Sequence, residues 1–237
     1  MKYDFTSVIN RHGNDALAVD GLGTSPGFAP EQPREGFDII PMWVADMSFP
    51  TVPTVQEAIR QRLDHPAFGY FSPRQEYFNE IIRWQETRHQ MKDLKPEMIG
   101  YENGVLGGVV SAVSAFAAHG DAVLLHSPTY VGFTNAIGNA GFRIVHTPLK
   151  LDEQGVWRMD FEDMDAKLKK HHIHVAVFCS PHNPCGRVWE RWEIEKAMEV
   201  YQANDCVVIS DEIWSDLILE GYHHIPTQMI SEDARNR

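Results

Sequence analysis

His174-Val175-Ala176-Val177-Phe178-Cys179, followed at once by Ser180-Pro181-His182-Asn183-Pro184-Cys185-Gly186, decides how this chain folds. Apolar, β-rich residues without alternation predict a strand covered on both faces, and the Pro- and Gly-containing run after it predicts a tight loop. A helical pattern follows from about Glu190 to Gln202, then a second short apolar run from Cys206 to Ser210. A strand, a helix-length crossover and another strand describe parallel pairing.

Toward the N-terminus the alternation continues. Ala122 to His126 and Phe142 to Thr147 are predicted strands, and Met98 to Tyr101 a shorter one. Helices are predicted from Gly104, after Pro128 and from near Asp160, the last beyond a turn at Gly155. Val55, Ile59 and Leu63 recur every fourth residue and predict one helical face. Ser72 as N-cap, Pro73 in the first turn and Gln75 completing a capping box predict the next helix. The expected fold is α/β: three layers, α/β/α, with a mostly parallel mixed sheet, incomplete at the C-terminus. Residues 1–50, rich in Gly, Pro and Asp, are expected to form an arm lying on another surface, and residues 51–237 the main domain.

The 237 residues are 43% hydrophobic and carry a net charge of −12, with 33 acidic against 21 basic side chains. Such a balance repels nucleic-acid phosphates and anionic lipid, so neither is an expected partner. Cys179, Cys185 and Cys206 form no CxxC pair, which fits a reducing compartment. The start Met1-Lys2-Tyr3-Asp4 lacks the apolar stretch of a signal peptide, and the apolar run from Gly104 to Ala118 is short for a membrane span. A cytoplasmic protein is expected. His171, His172 and His174, and the pair His223 and His224, lack the Cys or carboxylate partners of a metal set, so no metal is expected.

In open α/β sheets ligands collect at the carboxyl ends of strands. There lie Asn103-Gly104-Val105-Leu106-Gly107-Gly108, Ser127-Pro128-Thr129-Tyr130, the Asn183 loop, and Asp211-Glu212-Ile213-Trp214. Singly, each has a plainer reading. The glycines could serve helix–strand packing, and their spacing is not the dinucleotide G-x-G-x-x-G. Tyr130 could be an ordinary core aromatic, Asn183 a turn former and Asp211 a helix cap. Together they suit pyridoxal 5'-phosphate (PLP). Helix N-terminal amides would hold its phosphate, Tyr130 would stack on its ring, Asn183 would donate to its phenolic oxygen, and Asp211 would keep its ring nitrogen protonated.

The run Ser180 to Trp189 resembles the Asn-Pro-x-Gly loop of fold type I PLP enzymes, the class I/II aminotransferase superfamily. Pro41-Met42-Trp43-Val44-Ala45-Asp46-Met47, Phe68-Gly69-Tyr70 and Ser210-Asp211-Glu212-Ile213 are similar to its MalY/PatB-type cystathionine β-lyase branch. The resemblance implies that Gly104, Val105 and Leu106 form the phosphate loop, with Tyr130, Asn183 and Asp211 on the ring. It implies that Tyr70 reaches the phosphate of a neighbouring subunit in a homodimer, and that Trp43 and Asp46 border an amino-acid substrate. Residues 1–50 would then include part of a small domain. Trp214 stands where relatives often carry Tyr or His, and indole donates one hydrogen bond without accepting or ionising.

No lysine lies after Asp211 and none follows a serine, so the Schiff-base lysine is expected beyond Arg237 and no catalytic residue within the chain. The implied activity is cleavage of cystathionine or a cysteine conjugate to thiol, pyruvate and ammonia. The alternatives are an aminotransferase and, from another class, a PLP-binding regulatory protein or an inactive truncated fragment.

Overall fold

A computed structural model describes residues 3–237, which group into two compact units, one ending at Phe71 and the other spanning Ser72–Arg237. In the first, the short helix α1 (Leu17–Asp20) buries Ala18, whose carbonyl accepts the Trp43 indole N–H at 3.0 Å. Phe28 meets the Trp43 ring edge-on at 5.5 Å. Helix α2 (Pro53–Leu63) starts on a proline, whose fixed φ suits a first turn. The predicted stripe of Val55, Ile59 and Leu63 lies on it, with all three exposed.

The second unit holds the sheet. Its elements are α3 (Gln75–His89), α4 (Val105–Phe116), β1 (Ala122–Ser127), α5 (Val131–Asn139), β2 (Arg143–Pro148), the ribbon strands β3 (Lys150–Leu151) and β4 (Trp157–Arg158), α6 (Phe161–His171), β5 (Val175–Cys179), α7 (Arg191–Ala203), β6 (Val207–Asp211) and α8 (Glu232–Asn236). Four strands pair in the order β2-β1-β5-β6, parallel throughout, while β3 and β4 form an antiparallel ribbon.

Strand alternation sorts the core into two layers. Val123, Leu125, Val175, Val177 and Cys179 pack under α4 and α5, against Val109, Val113, Phe133 and Ile137. Leu124, Ala176 and Phe178 face the other way, onto Met164 and Leu168 of α6 and Ile194, Ala197, Met198 and Tyr201 of α7. Helices therefore cover both faces, as the unalternating strand sequence demands. Each fully buried Leu, Ile or Phe contributes roughly 1.5–3 kcal/mol.

Two local expectations fail. Residues 98–101 form no strand: a 3-10 turn at Pro96–Met98 ties the Met98 N–H to the Lys95 carbonyl and the Ile99 N–H to that of Pro96, at 3.0 and 3.1 Å. Those amides are consumed locally and cannot join a ladder. Nor does Ser72 cap α3. The N-cap is Arg74, extended at φ −77° and ψ 158°, without a side-chain cap bond. Arg74 is itself extended, so the helix begins only at Gln75 and Ser72 lies two residues before its N-cap.

Candidate active site

β1 leads through α5 to β2 on one side, while β5 enters on the other side of β1. The connection thus reverses direction between β1 and β5, the place where an open α/β sheet leaves a crevice at its carboxyl edge. The β1–β5 ladder ends at Leu125↔Val177, so His126-Ser127 and Phe178-Cys179 continue beyond the last rung. Next door, β5 and β6 stay paired to their ends, with Cys179 opposite Asp211.

The loop after β5 is a closed turn. His182 N–H donates to the Arg187 carbonyl at 2.7 Å and Gly186 N–H to that of His182 at 2.9 Å. Asn183 stands inside this turn, its backbone N–H directed at the Cys179 sulfur, 3.5 Å away. Trp189 is buried beneath, its indole N–H on the Cys179 carbonyl at 2.9 Å and its ring stacked on Phe178. The Cys179 thiol donates to the Pro181 carbonyl at 3.2 Å, and burial pushes its pKa up to about 12, so it is a packed thiol and no nucleophile.

Asp211 is buried at the end of β6. Burial raises its carboxyl above the ordinary range and Glu212 beside it adds to that, against one backbone bond from the Ile213 N–H at 3.1 Å. A buried carboxyl in that state gains from a cationic partner, because an opposite charge offsets the desolvation. Trp214 follows on the same turn, its carbonyl accepting the Leu217 N–H at 3.0 Å.

Glu212 is partnered differently. Burial works against its ionisation, but bonds from His224 Nε2 at 2.9 Å, Thr227 N–H at 2.8 Å and Ser210 Oγ at 2.9 Å bring its pKa below the usual value. His224 packs edge-on against His89 of α3, whose Nε2 lies 3.1 Å from Asp216. The segment after β6 is anchored at both ends. Sequence reasoning missed this anchor, since no short-range spacing joins His89 to residues 212–224.

Helix α4 supplies the glycine-rich entry. Gly104 is its N-cap at φ +94°, a conformation open to glycine and strained for other residues. The first intrahelical bond is Gly108 N–H to the Gly104 carbonyl at 3.1 Å, so the earlier amides point out of the helix end. No acidic residue occupies the first turn itself, although the Glu102 side chain lies beside Gly107 and Gly108.

Tyr130, the N-cap of α5, folds back over Gly132. A Cβ on Gly132 would lie 2.3 Å from Tyr130 Cε1 and 2.9 Å from Leu106 Cδ1, so the missing side chain lets the ring approach the start of α4. The predicted residues on α4, on the loop after β1, on the Asn183 turn and at Asp211 thus stand around one sheet edge. Gly132 was not singled out, because its role rests on a contact between two distant segments.

Trp43, Asp46 and Tyr70 belong to the N-terminal unit. Asp46 pairs with Arg11 and accepts the Met47 N–H at 2.8 Å, contacts that hold its carboxyl below the usual range. Tyr70 is fully exposed.

The chain has relatives among known proteins. The family profile described as aminotransferase class I and II matches residues 38–234. The chain belongs to that family.

Within the family it is 39% identical over 196 residues to the cystathionine beta-lyase PatB of Bacillus subtilis, covering 83% of this chain and 50% of that protein. It is 30% identical to protein MalY of Escherichia coli, over 94% of this chain and 55% of that protein. Among solved structures, cystalysin from Treponema denticola, which contains a pyridoxal 5'-phosphate cofactor, superposes at a TM-score of 0.87 with 34% identity. It matches 99% of this chain and 57% of its own. The PLP-bound C-S lyase from Staphylococcus hominis gives a TM-score of 0.83 at 30% identity, over 97% of this chain and 56% of that one. The chain spans about half the length of the curated relatives it matches.

Proposed function

We propose that this chain is the cofactor-binding part of a PLP-dependent carbon–sulfur β-lyase that cleaves cystathionine or a cysteine conjugate to thiol, pyruvate and ammonia. The observation that carries the cofactor is Asp211, a buried carboxyl whose desolvation a protonated ring nitrogen would offset. The amides of Val105 and Leu106 after Gly104 would take the phosphate, Tyr130 would cover the ring face, and Asn183 would donate to the phenolic oxygen. Trp214, a donor without an accepting or ionising atom, would offer at most one hydrogen bond beside Asp211. Bound PLP supplies an electron sink for the carbon adjacent to the amino group.

The chain's own residues orient and polarise. Asp211 holds a proton on the ring nitrogen, and the Asn183 amide stabilises negative charge on the phenolic oxygen. Tyr130 and the buried Phe133 behind it, 5.5 Å apart edge to face, keep water from one side of the ring. Trp43 and Asp46 would border the substrate and Tyr70 would reach a phosphate in the neighbouring subunit of a cytoplasmic homodimer. Likeness to PatB at 39% identity favours the lyase over an aminotransferase.

The test is product analysis with the intact, PLP-loaded protein. Pyruvate and thiol from cystathionine, independent of any added 2-oxo acid, are expected. Amino transfer that requires the oxo acid would replace the lyase with an aminotransferase, and ligand retention without turnover would indicate a regulatory binder.

A further inference from the structure

Beyond Leu125↔Val177 no ladder rung joins β1 to β5, yet the loops that extend these strands carry Tyr130 and Asn183. A side-chain bond crosses the gap: His182 Nε2 lies 2.9 Å from the Pro128 carbonyl. A carbonyl only accepts, so the proton resides on Nε2. Pro128 stands two residues before Tyr130, and His182 immediately precedes Asn183.

The imidazole is 2% exposed, and its ring meets Trp189 at 5.5 Å and His126 at 6.3 Å. Its backbone is fixed as well, by the bond from its N–H to the Arg187 carbonyl at 2.7 Å. A buried donor on a closed turn therefore grips the opposite loop. Burial keeps the ring's pKa below the usual histidine value, which favours the neutral, single-donor form.

We propose that His182 is a positioning residue that sets the width of the β1–β5 crevice, and with it the separation between the Tyr130 ring and the Asn183 amide. The proposal rests on the PLP reading of the site. His182 touches neither ring nor phosphate in this role. It acts through Pro128 on one loop and through its own chain neighbour on the other, so its loss should free the two walls together.

The experiment compares the intact protein with His182→Leu and His182→Gln, whose amide Nε2–H can replace the donor. Hydrogen exchange of the apoprotein reads the clamp, and PLP titration with the bound-cofactor absorbance spectrum reads its consequence. His182→Leu should speed exchange in residues 127–134 and 180–187 together, weaken PLP by about tenfold, and shift the absorbance band that reports the phenolic oxygen. His182→Gln should restore most of each. Unchanged exchange in both loops, or a Gln variant as impaired as the Leu variant, would overturn the clamp. If the parent protein itself does not bind PLP while exchange still responds to His182→Leu, the cofactor reading fails and the proposed role with it. Should His182→Leu not fold, His182→Asn, polar but shorter in reach, replaces it: faster exchange in both loops supports the clamp, and unchanged exchange overturns it.

Discussion

Cys179 and Asp211 face each other on the last rung of the β5–β6 ladder, and the Ser180 N–H extends the pairing by donating to the Asp211 carbonyl at 2.9 Å. The backbone beneath the Asp211 carboxyl is thereby held, while the carboxyl itself is buried and accepts one bond, from Ile213. A group so placed can keep a ring nitrogen protonated without moving. Asp211→Ala in the intact protein should lower turnover by about 10³-fold or more, a loss of several kcal/mol in carbanion stabilisation. Near-parental kcat in that variant would remove Asp211 from the mechanism.

Gly132→Ala offers a test of opposite sign to helix propensity. In an exposed helix alanine would stabilise by roughly 1 kcal/mol. Here the new Cβ meets the Tyr130 ring at 2.3 Å and Leu106 at 2.9 Å, so the ring must turn away. The expected outcome is a stability loss of about 1–3 kcal/mol and weaker PLP binding, measured by denaturant unfolding and by titration. A stabilised variant with intact affinity would show that the ring is not packed as described.

Glu193 is fully buried and pairs with Arg187, and its second oxygen lies 3.1 Å from Arg158. It also accepts the Glu190 N–H at 2.9 Å, which starts α7. Glu193→Ala would take the nearest carboxylate from the largely buried Arg187 guanidinium, leaving it the Trp157 carbonyl at 2.9 Å and Glu190 at 3.8 Å, a loss of about 3 kcal/mol. Chemical denaturation should show that loss, and Glu193→Gln, which keeps an acceptor, should fall in between.

His126 is wholly buried among Phe178, His182 and Trp189, with neither ring nitrogen hydrogen-bonded among the described residues. Burial, with a smaller effect from His182, brings its pKa down to about 3. The folded state then binds fewer protons than the unfolded chain, so stability is full above about pH 6.5 and declines as pH falls toward 3. Between pH 7 and pH 5 the parent should lose about 2 kcal/mol more than His126→Leu. Parallel pH profiles for the two proteins would exclude His126 as the source.

Tyr130, Asn183 and Asp211 could be picked out in the sequence because they lie at or just after the ends of strands, whereas Gly104 opens a helix that no strand precedes. Apolar runs such as Val175–Cys179 announce themselves, and whatever follows them must emerge at one sheet edge. Local backbone chemistry was harder. The 3-10 turn at Pro96–Met98 takes up the Met98 and Ile99 amides, and Arg74 rather than Ser72 became the N-cap of α3.

By itself the sequence determined the alternation of sheet strands and helices from α4 to β6, the double-sided burial of β1 and β5, and that Tyr130, Asn183 and Asp211 lie at the carboxyl ends of strands. Those properties depend on periodicity and on chain neighbours, which a linear reading contains. Only the tertiary structure decided that β5 lies beside β1, so that the loops carrying Tyr130 and Asn183 leave neighbouring strands. It alone decided that Gly132 makes room for the Tyr130 ring, that His182 reaches Pro128, and that Glu212 is held by His224. Each of these is a contact that local spacing does not specify, and contacts of that kind are set by how elements pack rather than by any short-range pattern.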